Sequence, residues 1–366
     1  KTVSTVYKLV SKDMISVLSA GTANLKRTDV NEWLGCDNYS KYAYFRFRRS
    51  LPLPVMLDYA GASADVCASY SDGIDVTEVY MVYSGTEATL YIRSADIIYS
   101  VTGNSGQGRF NDAVRTIENS NAVNFSMVQD KVQGNRKILL SDDLLTVSGF
   151  TVDAGVAGSS LDSSARASLL ETFQMNPDKT AVNEYPSGGI SFVGAGGTLI
   201  VDRNFTYSAH QSASVNISAI ANEYKEMYKL GVYLRASEHF IVNILKSFGV
   251  GNSPSLCFES VSADSETLTL SYIYLADNMP VFIDGKSLGI RLSFTDNKLV
   301  YLAADIISVA PTDGNCTLLS GTLISNAYPA DIKLDALFPV CIADDRVSYS
   351  EWLTVFVKEP ATEETE

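Results

Sequence analysis

The spacing of apolar and polar positions changes character several times along the chain. Residues 3 to 18 (VSTVYKLVSKDMISVL) carry mixed apolar spacing, which predicts a strand followed by a short helix. After the turn-rich Gly21–Asn24, the run Thr28-Asp29-Val30-Asn31-Glu32-Trp33-Leu34 offers an N-cap and one helical turn. Alternation then takes over at Tyr42, Tyr44, Phe45 and Phe47, up to the breaker Leu51-Pro52-Leu53-Pro54, with Val55-Met56-Leu57-Asp58-Tyr59 beyond it. Glu78–Ser84 and Ala88–Arg93, separated by Gly85-Thr86-Glu87, read as a hairpin. Gly103 to Gly108 reads as a loop. Arg109 to Asn119 reads as an amphipathic helix with Phe110, Val114 and Ile117 on one face.

Lys137–Leu140 and a Gly/Ser-rich stretch from Gly149 to Ser164 open the middle segment. Ser163 or Ser164 then caps a helix over Ala165–Met175. Four short strands follow, Ala181–Tyr185, Gly189–Val193, Thr198–Asp202 and Phe205–Ala209, with Gly188-Gly189 and Gly196-Gly197 as hairpin turns. The last third begins with a long helical pattern from about Ile220 to Phe248, kinked or split at Gly231-Val232 and closed by Gly249. Strands are expected at Leu256–Val261, Thr267–Leu275, Val281–Ile283, Gly289–Phe294 and Leu299–Ile307. The turns between them fall at Asp277-Asn278, Asp284-Gly285 and Asp296-Asn297. Leu318 to Ala327 suggests a further helix, Leu353–Val357 a last strand, and EPATEETE a disordered tail. The pattern predicts a multi-domain α+β protein with antiparallel sheets, each packed on one or two helices. Its expected units are residues 1–135, 136–217 and 218–358, with a tail at 359–366.

Composition narrows the function. A formal net charge of -14 disfavours nucleic acid, because a phosphate backbone needs a surplus of Lys and Arg. The 20 tyrosines favour half-buried sheets. With only two histidines, His210 and His239, there is little material for His-dependent catalysis or zinc binding. Cys36, Cys67, Cys257, Cys316 and Cys341 form no C-x-x-C pair and read mostly as reduced thiols, with one bridge between domain-mates, such as Cys316–Cys341, as the alternative. Gly194-Ala195-Gly196-Gly197-Thr198 lacks the Gly-Lys-Ser/Thr ending of a phosphate loop and precedes a strand. Asp142-Asp143 and Asp344-Asp345 read as solvated turn acids, and no G-x-S-x-G or S-x-x-K nucleophile motif with its partners is present. The expectation is no catalytic residue, no cofactor and no metal.

The last two thirds resemble a known family. Tyr185-Pro186-Ser187-Gly188-Gly189-Ile190-Ser191-Phe192-Val193 leads to Gly197-Thr198-Leu199-Ile200-Val201 and Phe205-Thr206-Tyr207-Ser208-Ala209. The helical Ala236-Ser237-Glu238-His239-Phe240-Ile241 comes next, then Leu268–Tyr274, Asp277-Asn278-Met279-Pro280-Val281 and Ile290–Val300. This order is similar to the YycH/YycI family of regulators of a cell-wall-responsive sensor kinase. Asn278-Met279 stands where the family has its usual turn glycine. The aromatic strand before Leu51-Pro52-Leu53-Pro54 also resembles the family's N-terminal domain.

The resemblance implies a non-enzymatic extracytoplasmic accessory protein, anchored by an N-terminal membrane helix absent from this sequence. Its implied partners are a membrane sensor histidine kinase and a paralogous accessory protein. A structural or adhesive cell-envelope module, and an enzyme with an unconnected site, are the competing classes. For partner binding, Tyr224, Met227 and Tyr228 fall at i, i+3 and i+4 and form one helical face in this reading. The commoner fate of such a stripe is packing on its own sheet.

Overall fold

The computed structural model describes residues 2–20, 25–39, 41–70, 73–105, 107–119, 125–128, 138–154, 161–202, 204–210, 214–224, 228–250, 255–264, 266–277, 279–283, 286–327, 334–343 and 348–356. It opens with one continuous helix, α1 (Thr2–Ala20), instead of the expected strand and short helix. Val10, Met14, Val17 and Leu18 recur at helical spacing and are fully buried. That single apolar stripe outweighs the β-branched content of the segment.

Next come β1 (Lys26–Thr28), α2 (Val30–Leu34), β2 (Tyr42–Pro52), α3 (Leu53–Ala60), α4 (Ala64–Ala68), β3 (Asp75–Ser84), β4 (Glu87–Ser94), β5 (Ile97–Asn104) and α5 (Gln107–Glu118). The strands form an antiparallel sheet in the order β1-β5-β4-β3-β2. Both faces of β3 are covered. Val79, Met81 and Tyr83 join the core that includes α1 and α3 residues, while Tyr80 and Val82 pack with Trp33 of α2. The hairpin at Gly85 forms as predicted, with Gly85 at φ 61°.

Two expectations fail here for identifiable reasons. Leu51-Pro52-Leu53-Pro54 does not merely break a strand; it starts α3, because proline suits a helix's first turn. Gly103 lies inside β5, and a Cβ there would press on the backbone of Val17 in α1.

Beyond these lie the paired strands β6 (Phe125–Val128) and β7 (Ile138–Ser141), and then β8 (Leu145–Ala154). The expected end of the first unit, near residue 135, lies outside the described residues. Part of the stretch expected to be a Gly/Ser-rich connection is strand β8. Helix α6 (Ser163–Thr172) is capped by Asp162 and not by either serine, its Oδ1 accepting from the Ala165 N–H at 2.7 Å. Strands β9 (Ala181–Glu184), β10 (Ile190–Gly194), β11 (Gly197–Val201) and β12 (Asn204–Ser208) match the predicted series. After β13 (Val215–Asn216), the long helical pattern resolves into α7 (Ser218–Glu223) and α8 (Lys229–Ser247). The break therefore falls before Gly231, which sits in the first turn of α8.

Strands β14 (Ser255–Ala263), β15 (Leu268–Ala276), β16 (Met279–Ile283), β17 (Lys286–Ser287), β18 (Gly289–Thr295), β19 (Lys298–Asp305) and β20 (Ile307–Leu318) follow. The described chain ends with α9 (Gly321–Asn326), β21 (Leu334–Ala343) and β22 (Ser348–Phe356). Asp277, Asp296 and Asn297 take left-handed φ of 47°, 48° and 57° at two of the predicted turns. The Asp284-Gly285 turn and the tail at 359–366 lie outside the described residues.

The large sheet runs β22-β21-β16-β15-β18-β19-β12-β11-β10-β9, antiparallel except where β16 meets β21. Strand β12 pairs with β19, so strands from either side of the expected boundary at 217 hydrogen-bond to each other. One row across this sheet, Phe192, Leu199, Tyr207, Leu302, Leu292 and Leu270, is buried. Aromatic contacts tie this layer to the helices, with Phe173 stacking on Phe205, Tyr207 and Phe240. The protein is thus multi-domain α+β, built from antiparallel sheets backed by helices. Among the described residues, no helix is long and apolar enough to cross a membrane.

Candidate protein-interaction surface

The three residues expected on one helical face are not on one helix. Tyr224 is the C-cap of α7 and half-buried. Met227 lies outside the described residues. Tyr228 is the N-cap of α8, with extended backbone at φ -62° and ψ 152° and only 7% exposure. Its hydroxyl donates to Asp58 Oδ2 of α3 at 3.3 Å. Burial, reinforced by the Asp58 charge, raises the Tyr228 phenol pKa above its ordinary value. A tertiary contact therefore decides where the helix starts, overriding the local periodicity.

That contact belongs to a seam between the N-terminal sheet unit and the larger sheet unit. Arg235 of α8 donates from Nη2 to both Asp58 oxygens, at 3.2 and 3.3 Å, and from Nη1 to the Glu238 carboxylate at 2.9 and 3.0 Å. Partial burial lowers the Arg235 pKa, but the Glu238 hydrogen bond and the Asp58 and Glu238 charges outweigh it, leaving a net rise. Tyr59 of α3 packs on Phe258 of β14 at 6.2 Å between ring centroids, and Phe258 meets Tyr272 edge-on at 5.7 Å. Arg49 and Glu259 add an outer ion pair at 3.8 Å, with the Arg49 side chain 63% exposed. At that exposure the pair contributes little.

The other broad surface is the face of the large sheet opposite its buried row. Ile200, Thr206, Ala303, Arg291 and Ser271 form one cross-strand row there, which Ser191 continues as a buried residue. A neighbouring row brings Val193 and Tyr301 onto the same face, and Val193, Ile200 and Tyr301 are each more than a third exposed. A depression of about 310 Å³ lies across it, lined in part by Glu259, Arg291, Tyr301 and Asp305. Burial raises the Asp305 carboxyl pKa, opposed by the Gly289 N–H that donates to it at 2.8 Å.

His210 pairs with Thr198 Oγ1 at 3.0 Å, and His239 with Asn243 of its own helix at 3.1 Å. The five cysteines are thiols, so Cys316 and Cys341 are not bridged. Among the described residues no three His, Cys, Asp or Glu side chains converge to hold a metal. The tyrosine stripe brought Tyr228 to attention in the sequence. Asp58 and Arg235 carried no such signal, because they lie 177 positions apart and meet only through the fold.

The architecture defines a class first: helix-backed antiparallel sheets in more than one unit. Within it, this chain is similar in fold to a solved structure, the crystal structure of YycH from Bacillus subtilis. The TM-score is 0.55 at 14% sequence identity, over 93% of this chain and 89% of that one. No family profile matches the sequence. No curated protein matches it either.

Proposed function

We propose that this chain is the extracytoplasmic part of a non-enzymatic accessory protein that binds and modulates a membrane sensor histidine kinase governing cell-wall homeostasis. The observation that carries this reading is the fold likeness to YycH along 93% of the chain. It is supported by the order of short motifs through which the sequence resembles the YycH/YycI family. In this reading a paralogous accessory protein is a second partner, and an N-terminal membrane helix is the anchor. Tyr224 and Met227 are the proposed contact residues of the stripe; Tyr228, its third member, is buried against Asp58 and positions the start of α8.

The test is co-purification from membranes of the anchored full-length protein with the sensor kinase of its own genome. Retention of the kinase, and loss of that retention in Tyr224→Ala at unchanged melting temperature, is the expected result. No kinase retained by the wild-type protein would sink the proposal.

A further inference from the structure

We infer that a cleft between the two sheet units is a docking site for a short basic peptide segment whose cationic side chains alternate with apolar ones. The cleft measures about 640 Å³, within the range of ligand clefts. The N-terminal unit contributes Pro52 and Asp75, where β2 ends and β3 begins. The larger unit contributes the first two turns of α8, the β14–β15 turn and the β18–β19 turn.

Two properties of the lining select the occupant. The accessible apolar lining is Val261, Ala263 and Leu268, which lie over the buried Leu230, Tyr233 and Phe294. The rim is acidic: exposed Asp75, Asp264, Glu266 and Asp296 come from three separate places in the fold, against Lys229 among the described lining residues. Asp264 is held in place, its Oδ1 accepting from the N–H groups of Glu266 at 3.4 Å and Thr267 at 3.0 Å. Tyr233 is fixed from below by donating to Asn297 Oδ1 at 3.2 Å. An anionic segment is repelled by the rim, and a purely apolar one leaves the rim charges unmatched. A segment carrying Lys or Arg beside Leu or Val satisfies both lining and rim, with its charges kept at the wet rim where their desolvation is small.

The inference stands apart from the kinase reading, and so does its test. The probe is fluorescein-labelled Lys-Leu-Lys-Val-Lys-Leu, followed by anisotropy, with the Glu-for-Lys peptide as its opposite. Exposed rim charges are individually weak, so neutralising three together in Asp264→Asn/Glu266→Gln/Asp296→Asn is expected to weaken binding about tenfold. A control triple, Glu87→Gln/Glu118→Gln/Glu171→Gln, removes the same charge from exposed sites elsewhere and is expected to change binding less than about twofold. Ala263→Trp fills the cleft without changing charge and is expected to weaken binding by a similar tenfold. Melting curves establish that each variant is folded.

Four outcomes overturn the proposal. They are equal losses in the two triples, equal binding of the Glu peptide, undiminished binding by folded Ala263→Trp, and no binding of the Lys peptide at low salt. Self-association that Ala263→Trp abolishes would assign the cleft to a second copy and also overturn it.

Discussion

Raising the pH should unfold this protein abruptly, because so many phenols are buried in their neutral form. Tyr70, Tyr80, Tyr83 and Tyr91 in the N-terminal unit are no more than 8% exposed, as are Tyr207, Tyr228, Tyr272 and Tyr274 in the larger one. Burial raises the pKa of each above its ordinary value of 10.0, to about 12 for Tyr70, Tyr91 and Tyr207. Below pH 10 the phenols are protonated in both the folded and unfolded states, and their contribution to stability is fully present. Above it the unfolded chain loses protons that the folded chain keeps, so stability falls as pH rises toward the folded values. Each phenol costs about 1.4 kcal/mol per pH unit in that window. Four per unit make about 5–6 kcal/mol, comparable with the whole stability of a domain, about 5–15 kcal/mol.

The assay follows tyrosinate absorbance and far-ultraviolet circular dichroism through the same titration. Both signals should break together about one to two pH units above 10. The seam through Asp58, Arg235 and Tyr228 should make the two units unfold together, and Arg235→Met should split the transition. Gradual ionisation of the buried set with ellipticity intact to about pH 12 would refute the reasoning.

Tyr228→Ala should cost about 3–5 kcal/mol in denaturant unfolding, as for other buried aromatic truncations, whereas Tyr228→Phe should cost about 1 kcal/mol for one hydrogen bond. Equal effects would mean that the ring itself packs little. Gly289→Ala should destabilise by at least about 2–3 kcal/mol, because its Cβ would collide with the Tyr272 carbonyl oxygen across paired strands. In the N-terminal unit the Arg93–Glu78 pair is buried at 3.6 Å, and Tyr44 also donates to Glu78 at 2.7 Å. Arg93→Met should cost about 3–5 kcal/mol by stranding a buried carboxylate, and adding Glu78→Gln should recover part of that loss. Chemical denaturation of the single and double variants decides it; a double variant no better than the single one would argue against a charge penalty.

Much of the architecture was legible where local chemistry and tertiary structure agree. The hairpin at Gly85, strands β9 to β12, the turn at Asp296-Asn297 and the closure of α8 at Gly249 depend on residues adjacent in sequence. Left-handed turn geometry and period-2 alternation are local properties, and a sequence displays them directly. The α+β class followed from the same signals. Where the reading failed, a distant contact had decided between local options. The mixed apolar spacing of segment 3–18 suggests a strand and a short helix, yet α1 forms throughout because one helical stripe has a sheet to cover. Strand β8 needed its partner β20, more than 150 residues away, to become a strand.

The candidate interaction surface shows the same division. The Tyr224, Met227, Tyr228 spacing pointed to a helical face, but Tyr228 turned inward to Asp58 and set the start of α8. By itself the sequence determined the fold class, most of the turns and a scarcity of residues suited to His-dependent chemistry. Only the tertiary structure decided which tyrosines are buried, which carboxylates meet Arg235 and which line the cleft. Burial and charge pairing are sums over neighbours that the chain brings together from far apart, and no local window contains them.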